Sequence, residues 1–286
     1  MRGEPLAVVW FQAAGCTGCS VSLMNAAYPD IKDLLLDEIV PGRSITLVFH
    51  ATLMGPTGRP ALEVLDRVPG EAAGDYLLAV EGAIPTRHPN FGRVGERPMA
   101  ERAAELARGA VGVVAVGTCA SYGGIPAGAP NPTGCVGIGE LLRREGIEVP
   151  VVNVPGCPPH PRWFVETVAH LLLHGPPRPE ELDGAGRLRV VYPDLVHDNC
   201  PRRADFDVGR FAPGFGDEGC LYELGCKGPY TDANCPYHGW NGGVNWCIKA
   251  GHPCIGCCEP EFPDYPSPLF RKATAEEAAA SYRRSQ

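Results

Sequence analysis

Thirteen cysteines in 286 residues set the chemistry open to this sequence, and their spacing sorts most of them into groups. Cys16 and Cys19 stand in Gly15-Cys16-Thr17-Gly18-Cys19-Ser20, Cys119 in Gly117-Thr118-Cys119-Ala120-Ser121-Tyr122-Gly123-Gly124, and Cys157 in Val154-Pro155-Gly156-Cys157-Pro158-Pro159. Further on, His197-Asp-Asn-Cys200 is followed by Cys220 and Cys226, a set of one imidazole and three thiols. Cys235, Cys247 and the pair Cys254-Ile255-Gly256-Cys257 make another set of four. Four thiolates are the ligand complement of a 4Fe–4S cluster. Glycines beside them let backbone N–H groups approach the cluster sulfurs, where hydrogen bonds tune potential.

Other chemistry fits parts of this pattern. A C-x-x-C after a strand also suits a thiol–disulfide redox pair, and zinc accepts four cysteines or three with a histidine. An odd cysteine count does not suit a closed disulfide framework. Three sets of four in one chain make sense as a relay of one-electron centres, whereas three structural zincs beside a sheet domain that needs none do not. Cys135, with no strand-end placement, reads as a structural thiol. Cys258, adjacent to Cys257, reads as a small residue packed beside the site.

The elements that must position these groups follow from periodicity. Ala7–Gln12, Ile45–His50, Tyr76–Ala83, Gly112–Val116 and Val149–Val154 are aliphatic runs bounded by Gly, Pro or polar residues, as strands buried on both faces should be. Helical patterns over Ser20–Asn25, Met99–Arg108, Ile138–Arg144 and Arg162–Leu173 lie between them. The alternation predicts an α/β domain over 1–180: a flavodoxin-like, doubly wound parallel sheet with right-handed crossovers. In such sheets ligands sit beyond the carboxyl ends of the strands, so Cys16, Cys19, Cys119 and Cys157 can converge on one crevice. After Gly175-Pro-Pro-Arg-Pro179 the texture changes. Residues 181–286 have little periodicity, much Gly, Pro and Asn, and eight of the thirteen cysteines, which predicts an irregular domain held together by the groups it binds. Ala273–Gln286 reads as a short exposed helix.

Composition excludes some functions. A net charge of −8 argues against nucleic acid. No apolar run approaches the roughly 18 residues of a membrane helix, since Trp163–Leu173 is interrupted by His170 and ended by His174 and Gly175. No signal-like segment precedes Leu6-Ala-Val-Val-Trp10-Phe11, so a soluble, cytoplasmic chain is the expectation from the sequence as it stands.

The motifs resemble those of the small subunit of nickel-iron hydrogenases, and the likeness spans nearly the whole chain. It rests on Gly15-Cys-Thr-Gly-Cys19, Glu81-Gly-Ala-Ile-Pro85, Gly117-Thr-Cys-Ala-Ser-Tyr-Gly-Gly124, Pro155-Gly-Cys-Pro-Pro159, His197-Asp-Asn-Cys200, Leu224-Gly-Cys-Lys-Gly-Pro229 and Cys254-Ile-Gly-Cys257. A related subunit of respiratory complex I lacks the C-terminal cluster region. The resemblance implies that Cys16, Cys19, Cys119 and Cys157 hold a proximal 4Fe–4S cluster facing a large subunit with a nickel–iron centre. It implies that Cys235, Cys247, Cys254 and Cys257 hold a medial cluster, and that His197, Cys200, Cys220 and Cys226 hold a distal 4Fe–4S cluster. Electrons would pass proximal, medial, distal, then to an external carrier such as a cytochrome or quinone-linked protein, or in reverse for hydrogen evolution. Hydrogen itself would be split by the partner.

Two comparisons refine this expectation. Many relatives have a 3Fe–4S medial cluster with Pro where this chain has Cys247, so a fourth thiolate favours 4Fe–4S, as in selenium-containing relatives. Some oxygen-tolerant relatives carry two extra proximal cysteines where this chain has Gly18 and Gly124, which implies an ordinary proximal cluster. Relatives are often exported to the periplasm or attached to membranes. Glu81 is a candidate for a proton path, for the contact with the large subunit, or for capping a turn. His88 and the loop Thr86–Pro98 are expected at an interface or surface, as are the loops around Ala127–Thr133.

Overall fold

The structure is a computed structural model that describes residues 5–38, 40–264, 269–272, 274 and 276. The helix expected over Ala273–Gln286 lies outside the described residues but for Thr274 and Glu276. The chain forms two compact units, Met1–Arg178 and Pro179–Gln286.

The first unit is built on a five-stranded parallel sheet. Its strands are β1 (Leu6–Gln12), β2 (Ile45–His50), β3 (Tyr76–Glu81), β7 (Gly112–Val116) and β9 (Val151–Val154), laid side by side as β2-β1-β3-β7-β9. Counting only these five, the order is 2-1-3-4-5, the flavodoxin-like arrangement whose switch point lies between the first and third strands. The aliphatic runs explain the central position of β3 and β7, in which every residue is buried. The short strands β4 (Ile84–Pro85), β5 (Arg93–Val94), β6 (Arg97–Pro98) and β8 (Cys135–Val136) form two small antiparallel pairs outside the sheet.

Helices cover the sheet: α1 (Gly18–Met24), α2 (Ile31–Leu36), α3 (Arg59–Glu71), α4 (Met99–Gly109), α5 (Thr118–Tyr122), α6 (Gly124–Ala127), α7 (Ile138–Arg144) and α8 (Pro161–His174). Helix α4 turns Ala103, Leu106 and Ala107 into a core that contains Val9, Phe11, Leu78, Val80, Ile84, Ile138 and Leu141. Helix α8 begins where the His160 ring accepts the Arg162 N–H at 3.2 Å, with Pro161 in its first turn, and stops at Gly175, whose φ is +77°. Those are the expected N- and C-terminal signals.

The strand and long-helix expectations hold to within a few residues, with instructive departures. Helix α2 was hidden by its length, although Asp30 and Asp33 make a reciprocal cap: Asp30 accepts the Lys32 and Asp33 N–H groups and Asp33 accepts the Asp30 N–H. Helix α3 carries Pro60 at its start and Pro69 in its last turn, which reads as loop punctuation. Strand β3 ends at Glu81 because Gly82 turns at φ +90°, after which Ala83 bridges to Ala14 instead. Cys135, expected away from any strand, sits buried in β8 opposite Pro85.

The second unit has little regular structure among the described residues: α9 (Arg203–Asp207), α10 (Cys235–His238), short 3-10 turns and isolated bridges. Its polar centre is Arg187, whose side chain is only 1% exposed and pairs with Asp183 at 2.6 Å, Asp232 at 2.9 Å and Glu259 at 3.0 Å. The same guanidinium donates to the Cys258 carbonyl at 3.3 Å, and Glu259 also accepts the Asp232 N–H at 2.9 Å. Arg is the residue suited to such a fork of partners, being charged at all relevant pH and planar. Leu188, Val191, Val196, Ala212, Leu221, Ile248 and Phe262 are among the apolar residues buried in this unit.

The core of the first unit yields a stability expectation. Leu78 is fully buried in β3, so Leu78→Ala should cost about 3 kcal/mol, read as a lowered denaturant midpoint without change of slope. A loss below about 1 kcal/mol would show that this strand is not packed as described.

Candidate metal centres

The cysteines expected as ligands gather in the loops of the first unit and in the irregular second unit. In the first, Cys16 lies in the turn after β1, where Thr17 takes a left-handed φ of +65°, and Cys19 enters the first turn of α1. Cys119 sits in the first turn of α5 directly after β7, and Cys157 follows β9. The loops are stitched to each other: Thr118 N–H donates to the Gly156 carbonyl at 3.0 Å, Gly156 N–H to Thr118 Oγ1 at 2.9 Å, and Ser22 Oγ to the Pro159 carbonyl at 2.9 Å. Electrostatic coupling of Cys19 to Cys119, Cys157 and Cys16 places all four thiols in one neighbourhood, and burial first, then Glu81 and these thiols, pushes the Cys19 thiol far up. Cys135 is close enough to Cys119 to act on it in the same way.

Small residues make room for whatever the four thiols hold. A Cβ on Gly117 would stand 2.4 Å from Cys19 Sγ, and one on Gly124 would stand 2.9 Å from the Cys119 nitrogen and 3.0 Å from its sulfur. Both glycines have positive φ, at +88° and +49°, a second reason for glycine there.

Glu81 organises this group. Buried at the end of β3, its carboxylate accepts the N–H groups of Cys19 at 3.0 Å and Ser20 at 3.1 Å, Trp10 Nε1 at 2.9 Å, Gln12 Nε2 at 3.3 Å and the Ser20 hydroxyl. It thus caps the N-terminus of α1 from across the sheet, where a carboxylate is stabilised by the helix's free N–H groups. Ser20 Oγ also meets His50 Nε2 at 3.2 Å, and the His50 ring stacks on Trp10 with centroids 5.1 Å apart. The sequence suggested capping of the turn that follows Glu81; the group it caps is instead a helix 62 residues earlier in the chain than the carboxylate. His88, by contrast, is exposed and caps only the turn Pro89–Phe91.

In the second unit, His197, Cys200, Cys220 and Cys226 line one small cavity with Arg202, Leu221, Tyr222, Gly228, Pro229 and Ile248. The His197 ring meets Phe206 edge-on at 4.6 Å, and burial, then Arg203, holds its pKa below the usual value. A neutral ring is the metal-binding form. Cys226 is pushed up to about 11 by burial. In the other set Cys235 couples to Cys257 and Cys247, while Cys254 couples to Cys226 of the first set before Cys257 and Cys235 of its own. Cys258 is fully buried and hydrogen-bonds to the Cys257 thiol.

One backbone pattern recurs through these groups. The N–H of the residue two positions on points at the cysteine sulfur at Gly18 to Cys16 (3.4 Å), Gly228 to Cys226 (3.4 Å), and likewise Arg202 to Cys200, Tyr222 to Cys220 and Gly256 to Cys254. Such bonds favour an anionic sulfur, and around metal centres they set potential. Among the described residues, no three His, Cys, Asp or Glu side chains close on a single-ion site. Thiolates on one zinc would stand about 3.8 Å apart, given a Zn–S bond of about 2.3 Å and tetrahedral geometry. Sulfurs with N–H groups aimed at them suit iron–sulfur clusters, where such bonds tune the potential.

A flavodoxin-like sheet with sulfur ligands at its switch-point end, followed by a cysteine-rich irregular unit, defines an iron–sulfur class of electron-transfer protein. Residues 192–270 match the family formed by the C-terminal part of the NiFe/NiFeSe hydrogenase small subunit, and residues 16–171 match the family of the 20 kDa subunit of NADH ubiquinone oxidoreductase. The chain is 44% identical over 278 residues to the periplasmic [NiFeSe] hydrogenase small subunit of Desulfomicrobium baculatum, covering 92% of this chain and 86% of that one. It is 41% identical to the periplasmic [NiFe] hydrogenase small subunit of Solidesulfovibrio fructosivorans, covering 93% and 81%. The solved structure of reduced, active Ni-Fe-Se hydrogenase from D. baculatum superposes with a TM-score of 0.86 at 44% identity, over 95% of this chain and 100% of that chain. The chain belongs to the family of nickel-iron hydrogenase small subunits. It is an electron-transfer component of an oxidoreductase, and among the described residues no helix is long and apolar enough to cross a membrane.

Sequence reading missed the partners of these ligands. Trp10, Ser20 and His50 around Glu81, Arg187 with its three carboxylates, and Lys227 carry no spacing signal of their own; of these, Ser20, beside Cys19, and Lys227, between Cys226 and Gly228, stand within or next to a cysteine motif. The cap gives a test. Glu81→Ala leaves the Trp10, Cys19 and Ser20 donors buried without their acceptor and should cost on the order of 3 kcal/mol in unfolding of the purified protein. A loss indistinguishable from zero would mean that the cap does not hold α1.

Proposed function

We propose that this subunit holds three iron–sulfur clusters, all of the 4Fe–4S type: a proximal one on Cys16, Cys19, Cys119 and Cys157, a medial one on Cys235, Cys247, Cys254 and Cys257, and a distal one on His197, Cys200, Cys220 and Cys226. What supports this reading is the nearness of Cys16, Cys19, Cys119 and Cys157, the shared cavity of His197, Cys200, Cys220 and Cys226, the coupling of Cys235 to Cys247 and Cys257, and N–H groups aimed at five of the sulfurs. When bound, the clusters carry electrons singly between a large subunit's nickel–iron site, where hydrogen is split or formed, and an external carrier such as a cytochrome or quinone-linked protein. The chain's own residues supply the ligands, keep water from the buried sulfurs and aim backbone dipoles at them. His197 contributes a neutral ring in place of a thiolate and so lowers the negative charge of the distal centre.

Support for a large-subunit partner lies in exposure. Cys16 is exposed, and Val21 on α1 and Ile125 on α6 leave 45% and 58% of their surfaces open. A cluster beside them needs a cover, and exposed apolar residues around a site are what an interface supplies.

Iron and sulfide analysis of the purified heterodimer tests the reading: about twelve of each are expected in this subunit, with a brown absorption spectrum, and colourless protein lacking sulfide would sink it. The medial type is tested separately. Oxidised wild-type protein should lack a strong 3Fe–4S electron paramagnetic resonance signal, and Cys247→Pro should create one while removing one iron. Gly117→Ala, which drives a methyl against Cys19 Sγ, should lose about four irons from the proximal set alone.

A further inference from the structure

The segment Cys226–Thr231 touches both ligand sets of the second unit, and Lys227 is its centre. Lys227 follows Cys226 directly, and its backbone N–H donates to the Cys254 carbonyl at 2.8 Å. Its carbonyl accepts the Thr231 hydroxyl at 2.8 Å, and that hydroxyl oxygen lies 3.7 Å from Cys254 Sγ. The next residue, Gly228, accepts the His197 N–H at 3.1 Å and donates its own N–H to Cys226 Sγ at 3.4 Å. The Lys227 side chain, 1% exposed, runs against Gly256 in the Cys254–Cys257 loop, where an added Cβ would meet Lys227 Cβ at 3.4 Å and Cγ at 3.6 Å. The ammonium donates to the Arg271 carbonyl. A lysine is three donors and no acceptor, and burying one costs more than burying an apolar side chain of the same length.

We propose that Lys227 sets the reduction potentials of the medial and distal centres together, as a buried positive charge that both share. The inference rests on the three-cluster reading above. The residue is one peptide bond from a distal ligand and one hydrogen bond from a medial ligand, and its stem runs against the loop between two medial ligands. Adding an electron makes a cluster more negative, and net charge near the cluster is among the quantities that fix its potential. In a low-dielectric interior a fixed cation is weakly screened. It therefore favours the reduced state of both centres, which keeps their potentials in step as they exchange electrons.

The test uses the assembled heterodimer with Lys227→Met, which keeps the apolar stem, and Lys227→Gln, which also keeps a donor for the Arg271 carbonyl. Redox titration followed by electron paramagnetic resonance should show the medial and distal centres both moving to more negative potential, with iron and sulfide content unchanged. Unshifted potentials at full iron content, or a shift confined to one centre, would overturn the proposal. Loss of iron in both variants would assign Lys227 to the scaffold and overturn it too. Absence of iron and sulfide from the wild-type complex would instead refute the cluster reading itself, so the two failures are told apart.

Discussion

Anionic sulfur taken out of water has to be compensated, and the rest of this structure is arranged around that requirement. A buried thiol resists ionisation, as the upward push on Cys19, Cys226 and Cys235 records. Four such groups in one place repel one another further. Metal charge supplies most of the compensation in a cluster, and the chain supplies the remainder as backbone dipoles. The repeated N–H to sulfur contact across two residues costs the fold nothing in side-chain entropy, because the turn that presents the cysteine also presents the donor. Glycines at positions 18, 228 and 256 in three of those five turns are the sequence's imprint of this device.

The two units meet the requirement by different means. In the first, a parallel sheet gives three strand ends that point the same way, and the loops leaving β1, β7 and β9 carry the proposed ligands. Rigidity comes from the apolar core, and the connection between core and ligands is Glu81, which sits on the central strand and grips α1. Among the described residues of the second unit there is no ladder to borrow. Arg187 and its three carboxylates hold together the segments around Asp183, Asp232 and Glu259, the last of which follows the Cys257–Cys258 pair. A buried ion group of this kind contributes little net stability over an apolar replacement, yet it is costly to break. Its contribution here is registry: one guanidinium fixes three loops that share no secondary structure.

How much of this was legible follows from what each feature writes into the sequence. Strands buried on both faces write unbroken aliphatic runs, so β1, β3 and β7 could be read to within two residues. Ligand cysteines write spacing and neighbouring glycine, so the three sets could be listed, though nothing in their spacing said that Cys119 would lie inside a helical turn. Helices α2 and α3 were missed because six residues carry too little periodicity and because Pro60 and Pro69 mask the longer one. Glu81 and Arg187 were opaque as to role for a common reason. Each acts on residues dozens of positions away, and a single charged residue writes no pattern that declares its distant partners.

The exposure of two predicted ligands adds a further constraint. Cys16 and Cys247 are open to solvent in the chain taken alone, whereas Cys220, Cys226 and Cys254 are buried. Solvent at a cluster changes its potential and gives oxidants access to sulfur. The set of His197, Cys200, Cys220 and Cys226, proposed above to pass electrons outward, is nonetheless the better sheltered by its own chain, through the ring of His197 and the packed Phe206, Phe211 and Tyr222. The chain therefore does not complete the enclosure of its own ligands: the surfaces at Cys16 and at Cys247 are where a second protein has most to contribute, by excluding water from sulfur that this fold leaves uncovered.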